Sequence, residues 1–172
     1  QLPLPAKFNR QEILDIIPVE KDIDVLSSVA FGRFVLGRLP IVPPTAKAIA
    51  LLFSHYHIPL HGKHIVVVGA GRLVGLPTIA WLLSEKATLT VVNERTKNIA
   101  KNIKQADILI TGVGKKKLIT AAMVKPGVIV IDAGTSTEHG KTTGDVDFNT
   151  VVGKARAITP VPGGVGPLTV AC

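Results

Sequence analysis

A single cysteine, Cys172, excludes an internal disulfide framework and fits a reducing compartment. Aromatic residues are scarce, at 4%. No stretch reaches the ~18 apolar residues of a membrane helix, so no membrane partner is expected. The opening "QLPLPAKFNRQ" lacks the basic and then apolar order of a secretory signal. The expected compartment is therefore the cytoplasm or the mitochondrial matrix. The first residue is Gln1 and not methionine, so the chain is expected to begin inside a longer gene product or after processing.

Charge of one sign is in surplus: 20 Lys and Arg stand against 12 Asp and Glu, a net +8. A nucleic-acid surface needs basic residues clustered with aromatics. Here the densest basic run is Lys115–Lys117 and the rest are scattered, so no nucleic-acid partner is expected. A solvated basic surface, with some attraction for an anionic cofactor or substrate, fits better. His55, His57, His61 and His64 lie within ten residues, but their spacing beside one cysteine does not make a zinc site, and no metal is expected. Asp132, Asp145 and Asp147 stand where strands end and read as loop acids.

What the chain does contain is alternation, in a composition that is 47% apolar and long enough for one core. "HIVVVG" (64–69), "TLTVVN" (88–93), "DILITGVG" (107–114), "VIVIDAG" (128–134) and "RAIT" (156–159) read as buried parallel strands. Helical patterns separate them: 73–86, 96–105 and 119–127, the last stopped by Pro126-Gly127. A further helix is expected over 43–57, with Thr45 as its cap. Strand–helix–strand units in series predict an α/β fold: a Rossmann-like doubly wound parallel sheet with right-handed crossovers. Residues 1–42 differ, with one helical stretch at 10–17, and read as the remnant of a second α/β domain before a nucleotide-binding domain over 43–172.

Between the first strand and its helix stands "VVVGAGRLVGLP", a G-x-G-x-x-x-G turn of Gly69, Gly71 and Gly75. It is one residue longer than the common dinucleotide fingerprint, with the same physics. Gly69 permits a tight turn, Gly71 lets backbone approach a pyrophosphate, and Gly75 lets the helix pack on the strand. At the end of the second strand come Asn93, Glu94 and Arg95. A carboxylate accepts hydrogen bonds from a ribose diol and repels a 2′-phosphate; an arginine does the opposite. The pair argues both ways.

"QLPLP" (1–5), "KDID" (21–24), "PPTAKA" (43–48), "VVVGAGRLVGLP" (66–77), "ADILITGVG" (106–114), "VKPGVIVIDAG" (124–134), "GDVDF" (144–148) and "ITPVPGGVGPLT" (158–169) follow in order. Together they resemble the bifunctional methylenetetrahydrofolate dehydrogenase/cyclohydrolase family. The resemblance implies a two-domain enzyme, with a homodimer expected for the full-length protein. Such an enzyme oxidises methylenetetrahydrofolate with NAD or NADP and hydrolyses the methenyl product. It implies cofactor contacts at Gly69, Ala70, Gly71, Arg72, Val74, Gly75, Asn93, Glu94, Arg95, Gly112, Val113, Gly114 and Thr169. It implies folate contacts at Asp24, Pro162, Gly163 and Gly164, and a catalytic part for Gln1, which matches a glutamine that positions the family's lysine. The helix after the proline–glycine loop returns, in the family, to the catalytic domain; at Cys172 it has barely begun.

Several positions depart from the family's pattern. Its lysine lies in a Tyr-x-x-x-Lys motif on a helix of the family's N-terminal domain; the single tyrosine here, Tyr56, is followed four residues later by Leu60, so the motif is absent from these residues. A Gly-Arg-Ser turn is replaced by Gly69-Ala70-Gly71, and a His-Ser pair by Asn93-Glu94. Both changes favour NAD over NADP. A glycine is replaced by Val25 and an asparagine by Ala30. This chain alone is expected to bind cofactor at best. The alternatives are a shikimate-type dehydrogenase domain, suggested by "GAG" and "NERT", and a non-catalytic module that binds a dinucleotide or a partner.

Overall fold

The computed structural model describes residues 1–172 apart from Gln1, Pro3 and His139. It forms two compact units, Gln1–Pro43 and Pro44–Cys172. The expected catalytic part of Gln1 lies outside the described residues.

The first unit holds helix α1 (Arg10–Asp15), a 3-10 turn at Val19–Lys21, and helix α2 (Ser28–Val35). The Asn9 side chain accepts from the N–H groups of Gln11 and Glu12 and starts α1; Ser27 accepts from Ala30 N–H and starts α2. The sequence reading held only the first of these helices. No strand occurs among the described residues of this unit. Asp22 accepts from the N–H groups of Leu26 (2.9 Å) and Ser27 (2.7 Å). Burial opposes its charge, but these donors outweigh it and hold the carboxyl below its usual range.

The second unit begins with helix α3 (Pro44–His55), then β1 (His64–Val68), α4 (Gly75–Ser84), β2 (Thr88–Val92), α5 (Ile99–Ile103) and β3 (Ile108–Thr111). After β3 come β4 (Ile129–Asp132), a hairpin of β5 (Ser136–Glu138) and β6 (Lys141–Thr143), α6 (Phe148–Val151), β7 (Ala157–Ile158) and α7 (Val165–Ala171). The main sheet runs β2-β1-β3-β4-β7, every neighbouring pair parallel. The α/β doubly wound architecture read from the sequence is therefore present.

Local chemistry moves some boundaries. Helix α3 starts at Pro44, whose fixed φ and missing N–H suit a first helical position. Thr45 thus lies inside the helix and is not its cap. Asn98, in the left-handed region at φ 54°, caps α5 through its side chain and delays the start to Ile99. The pattern at 119–127 yields only a 3-10 turn, Ala121–Met123, because Thr120 and Val124 on either side are extended. Val124 stands two residues before Pro126, in a stretch that the proline keeps from continuing as helix. The hairpin and α6 are too short to carry a periodic signal.

Period-two alternation splits the strands between two layers. Val66, Val68, Leu109 and Val130 pack with Ile103, Val124, Val146 and Val151 on the α5–α6 side. Ile65, Val67, Ile110 and Ile131 face the other side, where α3 lies against α4 and α7. There the Phe53 ring meets the edge of Trp81, centroids 5.9 Å apart. At the start of the sheet, Asp107 accepts from His64 N–H at 2.8 Å and from the Lys125 ammonium at 2.6 Å. The Lys125 bond holds the Asp107 carboxyl below its ordinary range.

Leu109 is fully buried at the centre of the middle strand. Leu109→Ala is expected to cost about 3 kcal/mol, the sum of lost burial and a residual cavity, as a lower urea midpoint at unchanged slope.

Candidate functional site

The strand order reverses between β1 and β3, and the loops that follow these two strands flank that point. In open α/β sheets this is where ligands bind. Gly69 leaves β1 at φ 95°, a conformation that favours glycine, and its N–H is tied to the Val92 carbonyl at 2.7 Å. A Cβ on Gly75 would lie 2.0 Å from the Gly69 carbonyl oxygen, so α4 starts in contact with the turn. A Cβ on Gly112 would lie 2.2 Å from a Val74 methyl, and one on Gly69 would lie 3.0 Å from the Gly112 carbonyl. The backbones after β1 and β3 therefore touch.

Gly71 differs: it is exposed, and a Cβ there would meet nothing within 4 Å. No side chain caps α4, and its positive dipole end lies just beyond this turn, although Pro77 has no N–H and the N–H groups of Leu76 and Thr78 donate to the carbonyls of Gly71 (2.9 Å) and Val74 (3.2 Å). Bare backbone before an uncapped helix start is a fitting seat for a pyrophosphate.

Behind the loops lies a pair of buried acids. Asp145, fully buried, accepts from the Thr111 hydroxyl (2.8 Å), Val113 N–H (2.7 Å) and Lys115 N–H (2.8 Å). Asp132 accepts from the N–H groups of Gly134 (3.0 Å), Asp145 (3.2 Å) and Val146 (2.9 Å). Burial raises the Asp132 carboxyl to about 6, helped by the neighbouring Asp145 charge and opposed by the three N–H donors. The Asp132 N–H also donates to the Thr159 hydroxyl (2.8 Å), one residue before Pro160. The pair thus reaches both the loop after β3 and the proline–glycine loop.

Comparison with known proteins shows the family of the chain. Residues 43–172 match the family model described as tetrahydrofolate dehydrogenase/cyclohydrolase, NAD(P)-binding domain. The chain belongs to the tetrahydrofolate dehydrogenase/cyclohydrolase family. It is 47% identical over 171 residues to the bifunctional protein FolD of Lactobacillus gasseri, covering 99% of this chain and 61% of the relative. It is similar to the crystal structure of FolD from Campylobacter jejuni (42% identity, TM-score 0.94, 99% of this chain and 61% of that one). It is similar also to FolD from Trypanosoma brucei, solved with NADP cofactor and inhibitor (39% identity, TM-score 0.92, 99% and 61%). The chain spans 61% of the length of these relatives. The family match decides against the shikimate-type alternative.

Within this family domain, the residues expected at the site fall into groups. Gly69, Ala70, Gly71, Arg72, Val74 and Gly75 form the continuous turn between β1 and α4. Val74 supports that turn from behind by packing on Gly112. Asn93 staples its own turn: its side-chain oxygen accepts from Arg95 N–H at 3.0 Å, and Thr96 Oγ1 accepts from its N–H at 3.1 Å. Glu94 and Arg95 are left exposed at the end of β2. Gly112, Val113 and Gly114 form the loop after β3, with Gly114 at φ 76°. Pro162 follows a cis peptide bond and is exposed, while Gly163 turns at φ 101°. A Cβ on Gly164 would stand 2.4 Å from the Pro160 carbonyl oxygen, so the loop closes on itself. The Thr169 hydroxyl donates to the Val165 carbonyl within α7 at 3.0 Å. Asp24 is an exposed turn residue of the first unit; the buried acid of its motif is Asp22.

Of the lysine run, Lys116 pairs with Glu138 at 2.6 Å and Lys117 with Asp147 at 3.2 Å. The sequence presents Asp132 and Asp145 as loop acids and gives no sign of their burial or of the hold of Asp145 on the loop after β3. The "GDVDF" motif was the available signal, but spacing alone does not tell an exposed acid from a buried acceptor.

Gly75→Ala is expected to unfold or strongly destabilise the chain, by more than about 2 kcal/mol, since backbone must move. Gly71→Ala should stay within about 1 kcal/mol of wild type by thermal melting. A second expectation concerns pH. Asp132 binds its proton more tightly folded (about 6) than at the ordinary 3.8, so its contribution is complete below 3.8 and is lost as pH rises through 6. Relative to Asp132→Asn, wild-type stability should fall by roughly 2–3 kcal/mol between pH 4 and 7, measured by denaturant titration. A pH-independent difference would contradict this.

Proposed function

We propose that this chain is the nucleotide-binding portion of a methylenetetrahydrofolate dehydrogenase/cyclohydrolase. In this reading the turn Gly69–Gly75 and the loop Gly112–Gly114 hold a nicotinamide dinucleotide against the start of α4. One observation carries it: exposed backbone at Gly71 with open space beside it, in front of a helix that no side chain caps. The family domain matched is named for NAD(P) binding, which supports the same reading.

When bound, the nicotinamide supplies the acceptor for a hydride from the folate methylene bridge. The chain's own residues bind and orient. Main-chain N–H groups take the phosphates, and the folded-back Pro160–Gly164 segment keeps side chains out of the way of ring-to-ring approach. Asp24 offers a carboxylate to an amino-pterin edge. Hydrolysis of the methenyl product uses, in the family, the lysine of the Tyr-x-x-x-Lys motif, which does not occur within these residues. These 172 residues by themselves are expected to bind nucleotide and turn over little. A homodimer is proposed for the full-length protein.

NAD is the favoured nucleotide. Glu94 is exposed at the end of β2, where a carboxylate suits a ribose diol, and Ala70 stands where the family's turn carries an arginine. Arg72 and Arg95 are the nearby cations that would favour a 2′-phosphate instead. A second reading, a binding module without chemistry, requires that the longer protein lack the Tyr-x-x-x-Lys motif as well. Folate dehydrogenase assays on the longer gene product separate the two: turnover supports the enzyme, and its lack supports the module.

Calorimetric titration of the chain with each nucleotide is expected to give the lower Kd for NAD. Glu94→Ser should move the NADP-to-NAD preference toward NADP by about tenfold, because a charge that repels the 2′-phosphate is removed. Tighter NADP binding by the wild type, or an unchanged ratio in the variant, refutes the assignment of Glu94.

A further inference from the structure

We infer that Asp145 is a positioning residue: its buried carboxylate holds Gly112–Lys115 in the shape that borders the nucleotide crevice. The inference deepens the proposed function and rests on its placement of a dinucleotide beside that loop.

The loop after β3 turns through Gly114 in the left-handed region, at φ 76°. Such a turn points successive N–H groups inward, and each must find an acceptor or carry a desolvation cost. The N–H groups on either side of Gly114, from Val113 and Lys115, both end on Asp145, one on each carboxylate oxygen, at 2.7 and 2.8 Å. The oxygen that takes Val113 N–H also takes the hydroxyl of Thr111, the last residue of β3, at 2.8 Å. A charged acceptor makes these bonds stronger than neutral ones.

The carboxylate is itself held in place. Asp145 N–H donates to Asp132, and its carbonyl accepts from Ile119 N–H at 3.0 Å. Gly134 presses against it so closely that a Cβ there would lie 2.1 Å from the Asp145 carboxyl carbon. The loop it holds cannot shift freely, because Gly112 already touches Val74 of the glycine turn. Loss of the carboxylate would therefore release one wall of the crevice while leaving Gly69, Gly71 and the helix start as they are.

The test uses the whole chain. Asp145→Asn keeps the side chain's size but turns an N–H₂ toward one of the loop donors. It is expected to weaken NAD and NADP binding by a common factor of about tenfold, the consequence of one unsatisfied buried donor. It should also speed amide hydrogen exchange at Val113 and Lys115 by about the same factor. Thr111→Val removes a hydrogen bond to the same carboxylate but neither loop bond. It should lower the melting temperature comparably and leave both Kd values within about twofold.

The inference is overturned if Asp145→Asn binds like wild type, or if Thr111→Val weakens binding as much as Asp145→Asn does. Should Asp145→Asn not fold, the wild type decides. Val113 and Lys115 amides protected like those of the strands support the clamp, and exchange at unprotected rates refutes it. A wild type that binds neither nucleotide defeats the dinucleotide reading, and the exchange measurement still passes judgement on the clamp.

Discussion

Two loops and a helix start meet at glycines, and the site takes its form from that contact. Gly75 rests on the Gly69 carbonyl, and Gly112 fits beneath Val74. A methyl group at either contact glycine would overlap neighbouring atoms by more than packing tolerates. The turn after β1 can therefore neither lift from α4 nor slide along β3. Gly71 alone among these glycines looks outward.

A second constraint supports the first from behind. Asp132 and Asp145 are buried among backbone N–H groups: the Asp145 carboxylate reaches the loop after β3, the Asp132 carboxyl reaches Gly134 and Val146 on either side of the hairpin, and the Asp132 main-chain N–H reaches the residue before Pro160. Gly134 and Gly144 leave room only for carboxylate oxygens. The opposite end of the strands is fastened separately, by Asp107 with His64 and Lys125.

Much of this was legible in the chain. The β-branched runs at 64–69, 107–114 and 128–134 gave themselves away because strands buried on both faces need apolar residues at every position. The glycine turn was readable because its spacing reflects steric need. The short elements were not: α6 has four residues and β7 two, too few for any period. Backbone signs were hidden as well. Val25 occupies a left-handed φ of 57°, where the family pattern has glycine, and nothing about a valine announces this. Which acids were buried was also hidden, because Asp22 and Asp24, or Asp145 and Asp147, look alike until the chain around them is folded.

The distance in sequence between a loop and its acceptor has a further meaning. Val113 N–H is satisfied by a residue 32 positions later. A ribosome that has released only the first four strand and helix elements of the second unit has made the glycine turn but not the wall beside it. During synthesis, full nucleotide affinity should therefore lag the emergence of the turn and be reached only after "GDVDF" has left the exit tunnel.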